Sequence, residues 1–238
     1  MKNPLILLLF STLLLLTNCS NEDNSSNLNL PITVKKIKLL ALGDSYTIGQ
    51  SVCETCRFPV QLQDSLRNSI KEDEQIDLRI IAQTGWTTSN LKSAIANENL
   101  KSEFDFVTLL IGVNNQYQNK PLSVYETEFP ELLQTAIQLA KGNSNRVMVV
   151  SIPDYAFTPF GQSNSNPTTI SNQLINYNQF AKNHAESLGV SFVNITDITQ
   201  LGLEQPNLVA SDGLHPSELA YSKFVERILP IAKVKLGL

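Results

Sequence analysis

The chain has two histidines, and only one of them sits where it could move a proton usefully. His215 lies in "SDGLHPS", with Asp212 three residues earlier across Gly213. A carboxylate at that spacing can turn back and accept from the imidazole Nδ1–H, fixing the tautomer that leaves Nε2 free as a base. His184 falls instead in "NYNQFAKNHAESLG", on the flank of a helical pattern beside Ala181 and Leu188. A base of this kind needs a nucleophile. Ser45 closes "LLALGDS", where an apolar run from Ile37 to Leu42 stops abruptly. Gly43 is expected to let the chain turn sharply there, and Asp44 to order that turn or to stand exposed in it. Serine hardly ionises near neutral pH, so its attack on an acyl carbonyl would require proton transfer to His215 in the same step. The oxyanion so formed needs preorganised donors. The candidates are the Ser45 N–H, the N–H of Gly85 in "QTGWTT" and the side-chain amide of Asn114 in "GVNN". Taken singly, Gly85 also reads as a turn glycine and Asn114 as a strand-end turn residue with Asn115.

The elements that must position these groups are legible as alternating patterns. Short, mostly apolar runs at Ile37–Leu42, Ile76–Ala82, Phe104–Ile111, Val147–Ile152 and Val190–Ile195 suit strands buried on both faces of a parallel sheet. Asp77 and Arg79 interrupt the second, which places it nearer an edge. Helical spacing links Val60, Leu62, Leu66 and Ile70, then Leu132 to Ala140 before Gly142, Leu174 to Leu188 before Gly189, and Tyr221 to Leu229. This alternation predicts an α/β fold, a three-layer α/β/α sandwich on a five-stranded parallel sheet. In such sheets the crevice lies beyond the carboxyl ends of the strands. Ser45, Gly85 and Asn114 each follow a predicted strand, and so does "DYAFTPFGQSNSNP"; "SDGLHPS" ends the loop after the fifth. The segment Asp154–Pro167 reads as a long loop whose Tyr155, Phe157 and Phe160 line a substrate cleft or cap the core, with a mobile second half.

Other features bound the function. Formal net charge is −4 and the basic residues are scattered, which argues against nucleic-acid binding. Neither a G-x-G-x-x-G nor a P-loop is present, so nucleotide-binding sandwiches are disfavoured. Cys53 and Cys56 form a C-x-x-C pair with no second pair to complete a zinc site. A thioredoxin-like redox role lacks other support in the chain, and in an exported protein a local structural disulfide is the better reading. Neither metal nor cofactor is expected. At the N-terminus Lys2 precedes an apolar segment, Leu5 to Leu16, too short to span a bilayer comfortably and suited to a signal peptide. Residues 20–29, "SNEDNSSNLN", hold one apolar side chain and read as a tether.

Together the blocks "GDSYTIG", "TGWTT", "GVNN" and "DGLHP" resemble, in order, those of the SGNH/GDSL hydrolases, with Ser45, Gly85, Asn114 and His215 at the name-giving positions. The resemblance covers about residues 38–230. Asn115 departs from it, since many members carry aspartate there. The lack of a glycine two residues after Ser45 sets the chain apart from the G-x-S-x-G elbow of α/β-hydrolases. The resemblance implies a flavodoxin-like sandwich and a serine esterase acting on acyl or acetyl esters of lipids or carbohydrates. Ser45, Asp212 and His215 would be catalytic, and Ser45, Gly85 and Asn114 the oxyanion donors. A surface protein that only binds carbohydrate or lipid in the same cleft is the alternative. The leader resembles a bacterial lipoprotein signal, with Cys19 lipidated, although Asn18 replaces the usual small residue. Residues 1–18 would then be a signal peptide, 19–31 a tether and 32–238 the hydrolase domain, exported and held at the outer membrane. A soluble exported protein and an uncleaved anchor are the other readings of this segment.

Overall fold

A computed structural model of the chain describes residues 34–163 and 166–238. The apolar leader, Cys19 and the polar segment lie outside the described residues. Five parallel strands, β1 (Lys35–Gly43), β2 (Glu74–Ala82), β3 (Phe106–Leu110), β4 (Val147–Val150) and β5 (Ser191–Val193), pair in the order β2-β1-β3-β4-β5. This is the expected three-layer sandwich. β3 and β4 are buried at every residue, whereas β2, the outermost strand on its side, buries only Ile76 and Ile81 and exposes Gln75, Asp77 and Arg79. Several strands are shorter than their apolar runs: Phe104, Ile111, Ile152 and Ile195 lie outside the ladder yet remain buried in the core.

Helix α2 (Phe58–Arg67) packs with α9 (Glu218–Leu236), while α3 (Thr88–Asn97), α5 (Leu122–Leu139) and α7 (Pro167–Ser187) pack against one another in turn. The two groups cover the two faces of the sheet. Helix α9 is capped by Ser217, whose hydroxyl accepts from Ala220 N at 3.2 Å. Gly142 and Gly189, just past the ends of α5 and α7, both have φ of 71°, the left-handed conformation that stops a helix. Helix α3 has no counterpart among the expected helices. Its buried face consists of Leu91 and Ile95 with Thr88, too few apolar residues to reveal a period, and its capping box uses Asn90 rather than the usual Glu or Gln.

The register positions the functional loops. Gly43 stands opposite Ala82 on one side and Leu110 on the other, so β1, β2 and β3 end level with one another. Gly43 is the last strand residue, and its role differs from the expected sharp turn. A Cβ there would lie 2.1 Å from Thr47 Oγ1 and 2.4 Å from the Leu110 carbonyl. The absence of a side chain is what lets the next helical turn fold back onto the strand end. Gly43→Ala should therefore lower stability by about 1–3 kcal/mol through overpacking, read as a lower urea midpoint; an unchanged midpoint would show that the turn yields freely.

Candidate active site

Ser45 opens α1 (Ser45–Ile48), a single helical turn directly after β1. Its backbone is set by Asp44, whose Oδ1 accepts from Tyr46 N at 3.0 Å as the cap of that turn. Asp44 is fully buried, so the exposed reading of this residue is wrong. Its second oxygen, Oδ2, has no hydrogen-bond partner among the described residues. Burial pushes the carboxyl up to about 7, against the opposing effect of the Tyr46 N–H.

The loop after β2 delivers Gly85, with φ of 85° and open space around its Cα. Backbone conformation, not room, is what requires glycine here. After β3, α4 (Val113–Tyr117) presents Asn114. One proton of its amide is given to the Trp86 carbonyl at 3.0 Å, which fixes the side chain and leaves the other proton available. The N–H groups of Ser45 and Gly85 have no protein acceptor among the described residues. Asn115 is buried, donates to Thr88 Oγ1 at 2.7 Å and accepts from Thr88 N at 3.0 Å. It thereby ties α4 to the start of α3.

The loop Leu208–Ser217 carries the base. Val209 bridges Pro216, and the Ala210 N–H donates to the His215 carbonyl at 2.7 Å. His215 Nδ1 lies 2.6 Å from Asp212 Oδ2. Asp212 Oδ1 accepts from the Leu214 and His215 N–H groups at 2.9 and 3.0 Å. Ser51 Oγ donates to Oδ2 at 2.6 Å, a contact that sequence reading did not find. Partial burial alone would push the Asp212 carboxyl up. The hydrogen bonds from Ser51, His215 and the two backbone N–H groups outweigh it and hold the group well below the usual carboxylate range. With Oδ2 ionised, Nδ1 carries the proton and Nε2 is the free nitrogen.

Ser45, Gly85, Asn114 and His215 border one cavity of about 260 Å³, closed by Tyr46, Thr84, Val113, Tyr117, Tyr155, Phe160 and Leu214. No hydrogen bond joins Ser45 Oγ to His215 Nε2, a contact that often tightens only when substrate binds. Tyr155 and Phe160 line the cavity, and Tyr117, half-exposed, packs against both rings. Phe157 does not reach it and packs instead against the core. The reason is local. Residues 154–167 are not the expected structureless loop: Tyr155–Phe157 form a 3₁₀ turn and Pro159–Gln162 a short helix, α6. Two residues apart on a 3₁₀ turn point in different directions, so only one of the pair can face the cavity. Buried Asp154 holds the segment, accepting from Ala156 N and Ser171 Oγ. Tyr155 OH donates to Gln116 Oε1 at 2.8 Å. Residues 164 and 165, part of the stretch expected to be mobile, lie outside the described residues. His184 lies away from the cavity, stacked on Phe180.

Cys53 and Cys56 are joined, with Cα atoms 5.0 Å apart, in the loop that follows Ser51. Among the described residues no group of three or more His, Cys, Asp or Glu gathers as a metal site would require, and no helix is long and apolar enough to cross a membrane.

Comparison with known proteins adds the following. The sequence profile of the GDSL-like lipase/acylhydrolase family matches residues 41–223. Among solved structures, a variant of an acetyl xylan esterase from Geobacillus stearothermophilus is 19% identical, with a TM-score of 0.63 over 84% of this chain and 96% of that one. A lipase/acylhydrolase from Enterococcus faecalis is 20% identical, with a TM-score of 0.60 over 84% and 95%. A psychrotrophic esterase from Pseudoalteromonas sp., inhibited by monoethylphosphonate, is 16% identical, with a TM-score of 0.58 over 84% and 99%. These likenesses are of fold. Curated proteins give no significant match in sequence.

The buried Asp44 carboxyl generates a test. An acid whose folded pKa is raised loses stability as pH climbs from its unfolded value, near 4, to its folded one, and the loss is complete above that. Asp44→Asn keeps the capping oxygen but cannot ionise. Its stability relative to wild type should rise by up to about 4 kcal/mol between pH 4 and pH 7, measured from urea midpoints across that range. A difference that stays flat would mean that the carboxyl titrates normally.

Proposed function

The chain belongs to the GDSL-like lipase/acylhydrolase family, and on that premise we propose that it is a serine hydrolase cleaving carboxylic esters through an acyl-serine intermediate. The observation that carries this reading is the convergence of Ser45, the Asp212-held His215 and three oxyanion donors on a single cavity. In the proposed mechanism Ser45 Oγ attacks the ester carbonyl while His215 Nε2 takes its proton. The negative charge that develops on the carbonyl oxygen is met by the Ser45 and Gly85 N–H groups and the free amide proton of Asn114. Asp212 stabilises the imidazolium through Nδ1. Collapse of the tetrahedral intermediate breaks the bond to the alcohol, which leaves with the proton from His215. Water, deprotonated by the same nitrogen, then releases the acid and restores Ser45.

The cavity supports a short acyl group. Its walls are mostly apolar, and its volume falls just below the range that encloses a drug-sized ligand. Acetyl or other short acyl esters of lipids or carbohydrates are the proposed substrates, with no cofactor. The proposal also has the protein exported and held at the outer membrane by a lipid on Cys19. Support for this comes from the apolar leader and the cysteine that follows it.

A fluorophosphonate probe should label wild type stoichiometrically at Ser45; no labelling would favour a binding protein that uses the same cleft. Ser45→Ala and His215→Ala should each remove nearly all turnover of a nitrophenyl ester, and the double variant should be little worse, because the pair acts as a unit. Asn114→Ala should lower kcat by about 10²–10³ with a smaller change in KM, since one donor of three is lost. Phe160→Ala should shift the preferred acyl length upward, and Phe157→Ala should not. A His215→Ala enzyme with substantial activity would overturn the assignment.

The anchor is tested separately. Labelled palmitate should enter the wild-type protein in a bacterial host and not the Cys19→Ala variant. Label in the variant, or none in wild type, would remove the lipid from the proposal.

A further inference from the structure

Ser51 is one of four non-glycine residues with positive φ among those described, at 65°. A left-handed backbone costs an ordinary residue energy that glycine would avoid, and a side chain kept there calls for a reason. Its hydroxyl supplies one: Ser51 Oγ donates to Asp212 Oδ2 at 2.6 Å, the same oxygen that holds His215 Nδ1 at 2.6 Å. Among the described residues no other hydrogen bond runs from the loop Gly49–Arg57 to Asp212 or His215. The neighbouring Gln50 Oε1 accepts from Thr84 Oγ1 at 2.6 Å, beside Gly85. Two adjacent residues thus reach the two loops that flank Ser45, one toward the oxyanion donors and one toward the base.

The loop is fixed on both sides of this pair. Gly49 closes α1, and the Val52 N–H donates back to the Gly49 carbonyl at 3.3 Å. Beyond Ser51 come the Cys53–Cys56 bond and Arg57, whose guanidinium donates to the Glu54 and Ile48 carbonyls at 2.9 and 3.3 Å. Gln61, on α2, donates to the Cys56 and Glu218 carbonyls at 2.5 and 3.2 Å.

From this geometry we infer that Ser51 is a positioning residue, which aims the Asp212 carboxylate at His215 through a loop braced by the Cys53–Cys56 disulfide. The inference rests on the esterase reading of the site. Ser51 touches no reacting atom. It acts by saturating Oδ2: with two donors on Oδ2 and two on Oδ1, the carboxylate has one orientation, and the imidazole bonded to it has one as well. Without the hydroxyl, Oδ2 can turn toward solvent, and the Nδ1–H bond that fixes the tautomer loosens.

Ser51→Gly separates this role from a structural one, because glycine removes the hydroxyl and also relieves the positive φ. Its melting temperature should equal or exceed that of wild type. Its kcat on nitrophenyl acetate should nevertheless fall about 10-fold, with KM within 2-fold. The second readout needs no turnover. The chain has two imidazoles, so the His215 Nδ1 proton can be followed in labelled protein by NMR. That proton should exchange with water at least 10-fold faster in Ser51→Gly than in wild type. Unchanged exchange would overturn the inference. If wild type proves inactive on every ester, the esterase reading fails, and the exchange measurement still decides whether Ser51 holds the Asp212–His215 pair.

Discussion

Because β1 pairs in parallel with both β2 and β3, and Gly43 faces Ala82 and Leu110, three segments of chain leave the sheet at the same height. Ser45, Gly85 and Asn114 arrive together for that reason, although 69 residues of sequence separate the first from the last. The strand order reverses direction between β1 and β3, and the cavity opens beyond the ends of these strands. Nothing in the site needs unusual chemistry once this register is fixed. A strand slipped by one residue would turn its buried side chains outward and carry its loop out of line at once.

The register alone leaves the loops free to move, and buried polar contacts remove that freedom. Asn115 joins α4 to Thr88, and Thr88 in turn bonds Glu128 on α5. Asp154 and Gln116 fasten the aromatic segment from two sides, while the Phe160 N–H donates to the Gly213 carbonyl at 3.0 Å and so links that segment to the base-bearing loop. These groups are mostly out of reach of solvent, where an unmade hydrogen bond costs more than a made one contributes. The site is therefore stiff in one arrangement.

Much of this is legible in the sequence itself. β1, β3 and β4 announce themselves because both of their faces are buried, and the residues proposed for chemistry announce themselves by following strands. What was hidden depended on direction rather than type. Tyr155 and Phe157 are both aromatic in the sequence, and only the phase of the 3₁₀ turn they share sends one of them toward the cavity. An exposed serine in a loop carries no pattern, so Ser51 was invisible until Asp212 lay beside it. Asp44 read as a turn residue because nothing local reveals that Thr47 and the Leu110 carbonyl close over the strand end. Helix α3 was missed for want of apolar residues, its position being held by the cap at Thr87 and by the packing of Leu91.

The path of the chain through β1 has a mechanical side. The strand starts at Lys35 and finishes beside Ser45, so about 27 Å of extended backbone lies between the point where the chain enters the sheet and the cavity. Both edges of the strand are hydrogen-bonded, to β2 along its whole length and to β3 over its second half. Tension that reaches the domain along β1 therefore meets two ladders loaded in shear, where many bonds must yield together, rather than an outer strand that peels one bond at a time. A pull from upstream is spent on the best-secured strand of the sheet before it can disturb the loops at its far end.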